Sequence, residues 1–337
     1  MINHVYQLVS PKTIAVAFKE ISLDNKVLIR PNYMAICHAD GRYYWGKRDP
    51  IALRKKLPMA LIHECVGTVL ADPTGTFSVG QQVNCIPNVP GDCDDEIFEN
   101  YGEGSGFLSS GRDGFMREVV ALDPSRVVAS DGIDPSLAAI MEFVSVAQHA
   151  ATRFDAVAHS RRKRIAIIGD GSLGFVTACT LSVRFPEAEL VIVGHNQDKL
   201  SLFNFAHERY LAEDAPANLR FDHAFECTGG NGCEDAYAFV IYHIRPQGTL
   251  ILMGVSERPV PLYTRDVLEK GMSLLGCSRS GMDDFQTAAQ QMRRPEIAKR
   301  LKQIIYVDEP VRSIKDIKRV FATDVQTPFK TVFKWEL

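Results

Sequence analysis

The 337-residue sequence predicts an α/β protein in two parts, a β-rich, loop-rich domain and a doubly wound parallel sheet. Two textures carry this reading. From about residue 163, five short apolar runs (RIAIIG, ELVIVG, HAFECTG, GTLILMG and MSLLGCS) are separated by helix-length segments such as SLGFVTACTLSVRF and CEDAYAFVIYHI. Strands apolar on both faces that alternate with helices imply a parallel sheet covered on both sides. Before about residue 140, Gly, Pro and Asp are frequent, and short β-type segments such as KVLIRP and VGTVL stand between turns, the pattern of an antiparallel, loop-rich domain.

After about residue 278 the alternation stops, and a helical stretch, then IIYVDE, then a strand-like FKTVFKWEL follow. That last strand is expected to return to the first domain and complete it. The division expected is therefore residues 1–144 with 279–337 as one domain and 145–278 as the other. No internal repeat or Ser/Gly linker interrupts this plan.

At 46% hydrophobic residues the chain can bury a sizeable core. A net charge of −3 without a long basic run argues against nucleic acid or an anionic membrane as the main partner and favours a small molecule. The start, MINHVYQLVSPKTIAV, lacks the basic segment and unbroken apolar stretch of a secretion signal, so a cytoplasmic location is expected. The eight cysteines, at 37, 65, 85, 93, 179, 227, 233 and 277, include no CxxC pair and read as thiols.

The string Gly169-Asp170-Gly171-Ser172-Leu173-Gly174 follows the strand RIAII and opens a helix. There the first glycine of a GxGxxG permits a tight turn, the second lets backbone approach a pyrophosphate, and the third lets helix pack on strand. Placed between strand and helix and followed by further alternating units, the string reads as a dinucleotide-binding (Rossmann) turn rather than a plain glycine-rich one. An acidic residue about 20 positions on would grip the ribose hydroxyls and favour NAD. The strand ELVIVG instead ends in Gly194, followed by His195, Asn196 and Lys199. Removing the carboxylate removes its repulsion of a 2′-phosphate, and His195 and Lys199 could pair with it, which favours NADP. Read otherwise, these are ordinary solvated residues at a helix start.

Cys37 in AICHAD, His63 and Glu64 in LIHECVG, and Glu142 in MEFVSVAQHA supply the ligand types of catalytic zinc sites, where three protein ligands leave a place for water or substrate. Such a metal stabilises the alkoxide that hydride transfer to a ketone creates. Singly, a cysteine is more often buried filler and a histidine a satisfied core residue. Their placement ahead of a dinucleotide fold is what gives them weight.

Cys37/Asp40, His63/Glu64/Gly67, Glu142/Val146/His149/Ala150 and Gly169/Gly171/Gly174, in that order, resemble the zinc-dependent medium-chain dehydrogenases, especially the polyol branch. LPMALIHE, ENYGEGSGFLSSGRDGFMREVV, FDHAFECTGG, PQGTLILMGVSE and TRDVLEKGMSLLGCSRSG are similar, more narrowly, to the ribulose-5-phosphate reductases that supply ribitol phosphate for CDP-ribitol in teichoic acid and capsule synthesis. The resemblance implies a GroES-like catalytic domain, a Rossmann NADP-binding domain, and one catalytic zinc held by Cys37, His63 and Glu142 with Glu64 nearby or exchanging. Asp40 would orient the ligating imidazole or a bound water. A homodimer or homotetramer and a cytidylyltransferase acting on the product are further implications.

Two departures stand out. Many relatives carry a four-cysteine lobe for a second zinc, whereas only Cys85 and Cys93 stand in that region, so no structural zinc is expected. Two residues after Cys37, where many alcohol dehydrogenases have a proton-relaying hydroxyl, stands Ala39. The implied substrate, a phosphorylated pentulose, needs cationic donors. Arg42, Arg112 and Arg279 are the candidates, with Arg279 in CSRSG leading. An unphosphorylated polyol as substrate and a non-catalytic nucleotide-binding role are the competing readings.

Overall fold

The computed structural model describes residues 1–92 and 96–337, which form two compact units, Met1–Ser145 with Arg279–Leu337 and Val146–Ser278. In the first unit the main sheet runs in the order Val127–Ala129, Gln82–Cys85, Glu64–Ala71, Val27–Ala35, Lys330–Trp335, Ile305–Val311. A short strand, Val120–Leu122, also pairs with Val27–Ala35. The strand at Lys330–Trp335 docks antiparallel on Val27–Ala35 through Val332–Ala35 and Phe333–Met34, so the carboxy-terminal segment does return to this domain. Pro31 cannot donate to the ladder, and the register shifts between Pro31 and Tyr33 where Val27–Ala35 meets Glu64–Ala71.

The second unit is a six-stranded parallel sheet in the order Glu208–Leu211, Glu189–Gly194, Arg164–Ile168, His223–Glu226, Thr249–Leu252, Ser273–Gly276. Strand order reverses at Arg164–Ile168, and ligands of such sheets bind at the carboxyl ends beside that point. Five of these strands are the five apolar runs. The sixth, Glu208–Leu211 (ERYL), escaped the reading because it is a polar edge strand whose residues are all partly exposed or exposed. It is tied on by Arg164, which reaches Glu208 at 2.6 Å. Among the described residues, no helix is long and apolar enough to cross a membrane.

One strand residue ties stability to pH. His223 is fully buried, its Nδ1 accepting from the Thr249 N–H at 3.1 Å and its Nε2 lying 3.0 Å from the Arg161 carbonyl oxygen. Burial first, and then the neighbouring His159, lower its pKa to about 4. An unfolded histidine titrates near 6.5, so between about pH 6.5 and 4 the unfolded chain binds a proton that the folded one refuses. The stability contributed is complete above this window and is lost as pH falls through it, by up to about 3 kcal/mol. Thermal melts of the protein and of His223→Gln, compared at pH 7 and 4.5, should show the smaller drop in the variant; parallel drops would assign the titration to other groups.

Candidate functional site

Cys37 ends the turn after strand Val27–Ala35 and immediately precedes helix His38–Tyr44, while His63 and Glu64 stand where strand Glu64–Ala71 begins. Because those two strands are neighbours in the sheet, a cysteine and a histidine 26 positions apart arrive at the same edge. One ligand atom each from Cys37, His63 and Glu64 lies within 4.8 Å of the others. His63 and Glu64 are buried and Cys37 is half-buried.

Asp40, 1% exposed, sits behind this trio. Its carboxylate faces His63 Nδ1 at 3.2 Å and accepts from the N–H groups of Ile62 (3.0 Å) and Cys37 (3.3 Å) and from the Ser109 hydroxyl. With Nδ1 so engaged, the other ring nitrogen is the one left for the trio. Burial works to raise the pKa of Asp40, and His63, Ser109 and the Ile62 amide more than offset it and hold it low. Burial likewise opposes charge on His63, while Asp40 and Cys37 raise its pKa well above the usual value.

Glu64 has a partner that the sequence did not announce. Lys330, buried in the returning strand, donates to Glu64 Oε1 and, at 2.8 Å, to the Ile36 carbonyl oxygen. Burial penalises the ammonium, but Glu64 and Cys37 more than compensate and raise its pKa. Glu64 Oε2 is buried with no hydrogen-bond partner. A thiol, an imidazole nitrogen and an orphaned carboxylate oxygen within 4.8 Å form a donor set that fits zinc.

Glu142, in the first turn of helix Met141–Val157, stands outside this tight trio but is electrostatically coupled to it. Burial, reinforced by Glu64 and opposed by His63, pushes its pKa up to about 7. Cys85 is buried in the main sheet next to Cys65, and Cys93 lies outside the described residues.

Backbone strain gathers around the trio. Ile62, Ser109 and Arg279 all have left-handed φ, of +70°, +65° and +61°. For a β-branched residue such as Ile62 this conformation costs about 1–3 kcal/mol and persists only where its surroundings impose it. Asp40 fixes the Ile62 N–H and Phe115 N–H fixes its carbonyl, at 2.7 Å, which aims His63 at the trio.

Of the three arginines, Arg279 connects most directly to the trio. Its guanidinium lies 5.6 Å from the Phe107 ring centre and donates to the Asn100 carbonyl oxygen and Ser105 Oγ at 3.4 and 3.3 Å. The Phe107 ring in turn meets His63 edge-on at 5.2 Å. Arg112 is exposed and lies over Gly106, next to Phe107. Arg42 is half-buried on helix His38–Tyr44 and contributes, after burial, to lowering the pKa of His38.

In the second unit, Gly169 has φ +126°, and a Cβ on Gly174 would lie 1.9 Å from the Gly169 carbonyl oxygen, so neither position admits a side chain. A Cβ on Gly171 would meet nothing within 4 Å, leaving the backbone open to a phosphate. Ser172 and Leu173 begin helix Ser172–Arg184, whose amino terminus supplies free N–H donors. Beside it a cleft is lined by Gly169, Val193, Gly194, His195, Ala212 and Thr228. Asn196 caps the next helix by accepting from the Lys199 N–H at 3.0 Å, and His195 is exposed.

Residues 23–132 match the alcohol dehydrogenase GroES-like domain family. The ribulose-5-phosphate reductase of Streptococcus pneumoniae is 58% identical over all of this chain and 98% of its own length, and that of Bacillus spizizenii is 43% identical over the full length of both. The crystal structure of S. aureus TarJ in complex with NADPH superposes with a TM-score of 0.89 at 38% identity, covering both chains entirely. The chain belongs to the ribulose-5-phosphate reductase family, medium-chain dehydrogenases built from a GroES-like domain and a Rossmann domain.

Proposed function

We propose that this protein reduces the ketone of ribulose 5-phosphate to the secondary alcohol of ribitol 5-phosphate with NADPH, using one zinc ion held by Cys37, His63 and a carboxylate from Glu64 or Glu142. The observation that carries the reading is the buried convergence of Cys37, His63 and Glu64 in a chain 58% identical to a ribulose-5-phosphate reductase. In this reading residues 1–144 and 279–337 hold metal and substrate, and 145–278 hold the cofactor through Gly169, Gly171, Ser172, Leu173, Gly174, Gly194, His195, Asn196 and Lys199. When bound, the metal supplies Lewis acidity toward the ketone oxygen and the reduced nicotinamide supplies hydride.

The chain's own residues do the positioning. Asp40 holds His63 in one tautomer, Lys330 holds one oxygen of Glu64 and leaves the other for the cation, and the Phe107 ring shields the imidazole. Ala39 has no hydroxyl, which leaves Glu64, bound water or the substrate's hydroxyls to pass the proton. Arg279, seated over Phe107, receives the substrate phosphate, assisted by Arg112 and Arg42. The product serves a cytidylyltransferase that makes CDP-ribitol for teichoic acid or capsule, and the enzyme works in the cytoplasm as a homodimer or homotetramer.

Following NADPH absorbance with ribulose 5-phosphate and with ribulose tests the reading. Turnover is expected with the phosphorylated sugar only. Arg279→Gln should raise KM for ribulose 5-phosphate by about 10- to 100-fold, the value of one or two charge-assisted hydrogen bonds. Equal use of ribulose by both proteins would instead favour an unphosphorylated polyol.

A further inference from the structure

The second strand of the dinucleotide sheet, Glu189–Gly194, ends without a side chain, and the space is filled from the neighbouring turn. A Cβ on Gly194 would lie 2.5–2.7 Å from Oδ2, Cβ and Cγ of Asp170. Asp170 is the second residue of the glycine-rich turn, and its Oδ2 accepts from the N–H groups of His195 at 2.7 Å and Asn196 at 2.6 Å. One carboxylate thus joins the pyrophosphate-binding turn to the strand end where doubly wound folds meet the adenosine ribose. Gly194 and Asp170 are complementary: the glycine makes the room that the aspartate takes.

We infer that Asp170 sets the selectivity between NADPH and NADH. The strand end lacks an acid of its own, and Asp170 returns one to it from the opposite side. It occupies two backbone donors that a 2′-phosphate would otherwise take, and it sets negative charge against that phosphate. Recognition of the 2′-phosphate then falls to side chains such as His195, and NADH remains a usable, weaker ligand. The inference rests on the NADPH reading above and deepens it.

Equilibrium titration of the full-length protein with NADPH and with NADH, followed by nicotinamide fluorescence, decides the matter. Asp170→Asn keeps an oxygen that can accept from both N–H groups and removes the charge. A half-exposed carboxylate a few ångströms from a phosphate dianion is screened by solvent, so the ratio of the NADH Kd to the NADPH Kd should rise about 3- to 10-fold in the variant, chiefly through tighter NADPH. The rise should shrink with added salt, as repulsion between exposed charges requires and a purely structural effect does not. Asp170→Ala, which also strips the acceptor, should weaken both cofactors while keeping the ratio above that of the wild type. A ratio unchanged or lowered in Asp170→Asn, or a rise indifferent to salt, overturns the role of Asp170. A wild-type protein that prefers NADH would count against the NADPH reading alone, because the change between variant and wild type still reports on Asp170.

Discussion

Cys37→Ala and His63→Ala are each expected to reduce turnover of ribulose 5-phosphate by on the order of 10³-fold or more and to release the metal. The loss should be this large because the donors are few and close: one atom from each of three side chains lies within 4.8 Å of the others. Dialysis against a strong chelator should reproduce the loss in the wild-type protein, zinc should restore it, and NADPH binding should survive throughout. Asp40→Asn tests the support behind His63, where loss of an orienting carboxylate costs about 10- to 100-fold in metal affinity. Elemental analysis beside the NADPH assay reads both quantities, and a His63→Ala protein that turns over normally without metal would refute the metal's role.

Lys330→Met should lower stability by about 3–5 kcal/mol, since removing one partner of a buried ion pair leaves the other charge uncompensated. Lys330 is 5% exposed and Glu64 0%, and Glu64 Oε2 already lacks a partner. For a protein of 337 residues the thermal midpoint should fall by about 4–7 °C. The fall should be greater after metal removal, because a bound cation takes over the compensation of Glu64. Combining Lys330→Met with Glu64→Gln should recover part of the loss, the signature of a coupled pair. Equal melting of Lys330→Met and wild type in metal-free buffer would mean that the pair contributes nothing.

What could be read from the residues followed from where each side chain's partner lies. Four of the six parallel strands announced themselves because they lie inside the sheet with both faces largely buried, and the edge Ser273–Gly276 because its SLLG is still apolar, whereas the other edge, Glu208–Leu211, is polar and its pattern resembles a loop. Cys37, His63, Glu64 and Glu142 could be named as candidates from ligand chemistry, their order ahead of the glycine turn and the family resemblance their motifs carry. That Glu64, not Glu142, closes the tight trio depends on the strand pairing of Ala35 with Glu64, which no residue type reveals. Lys330 lies 266 positions from Glu64, and in its strand KTVFKW nothing in the sequence sets it apart from the exposed Lys334. Asp170 hid as an unremarked position of the glycine motif, because its meaning depends on the missing side chain of Gly194. Arg279 could be chosen by motif, but its link to His63 through Phe107 required the coordinates.

The two units also differ in how they can be made. The nucleotide-binding unit is one uninterrupted segment, whereas the other is split around it, and its main sheet needs Lys330–Trp335 beside Val27–Ala35. As a nascent chain leaves the ribosome, the Rossmann sheet can close on itself while the earlier-made half of the other sheet still has an open edge. Throughout that interval the carboxylate of Glu64 stands without its ammonium partner, which arrives only when Lys330–Trp335 docks beside Val27–Ala35.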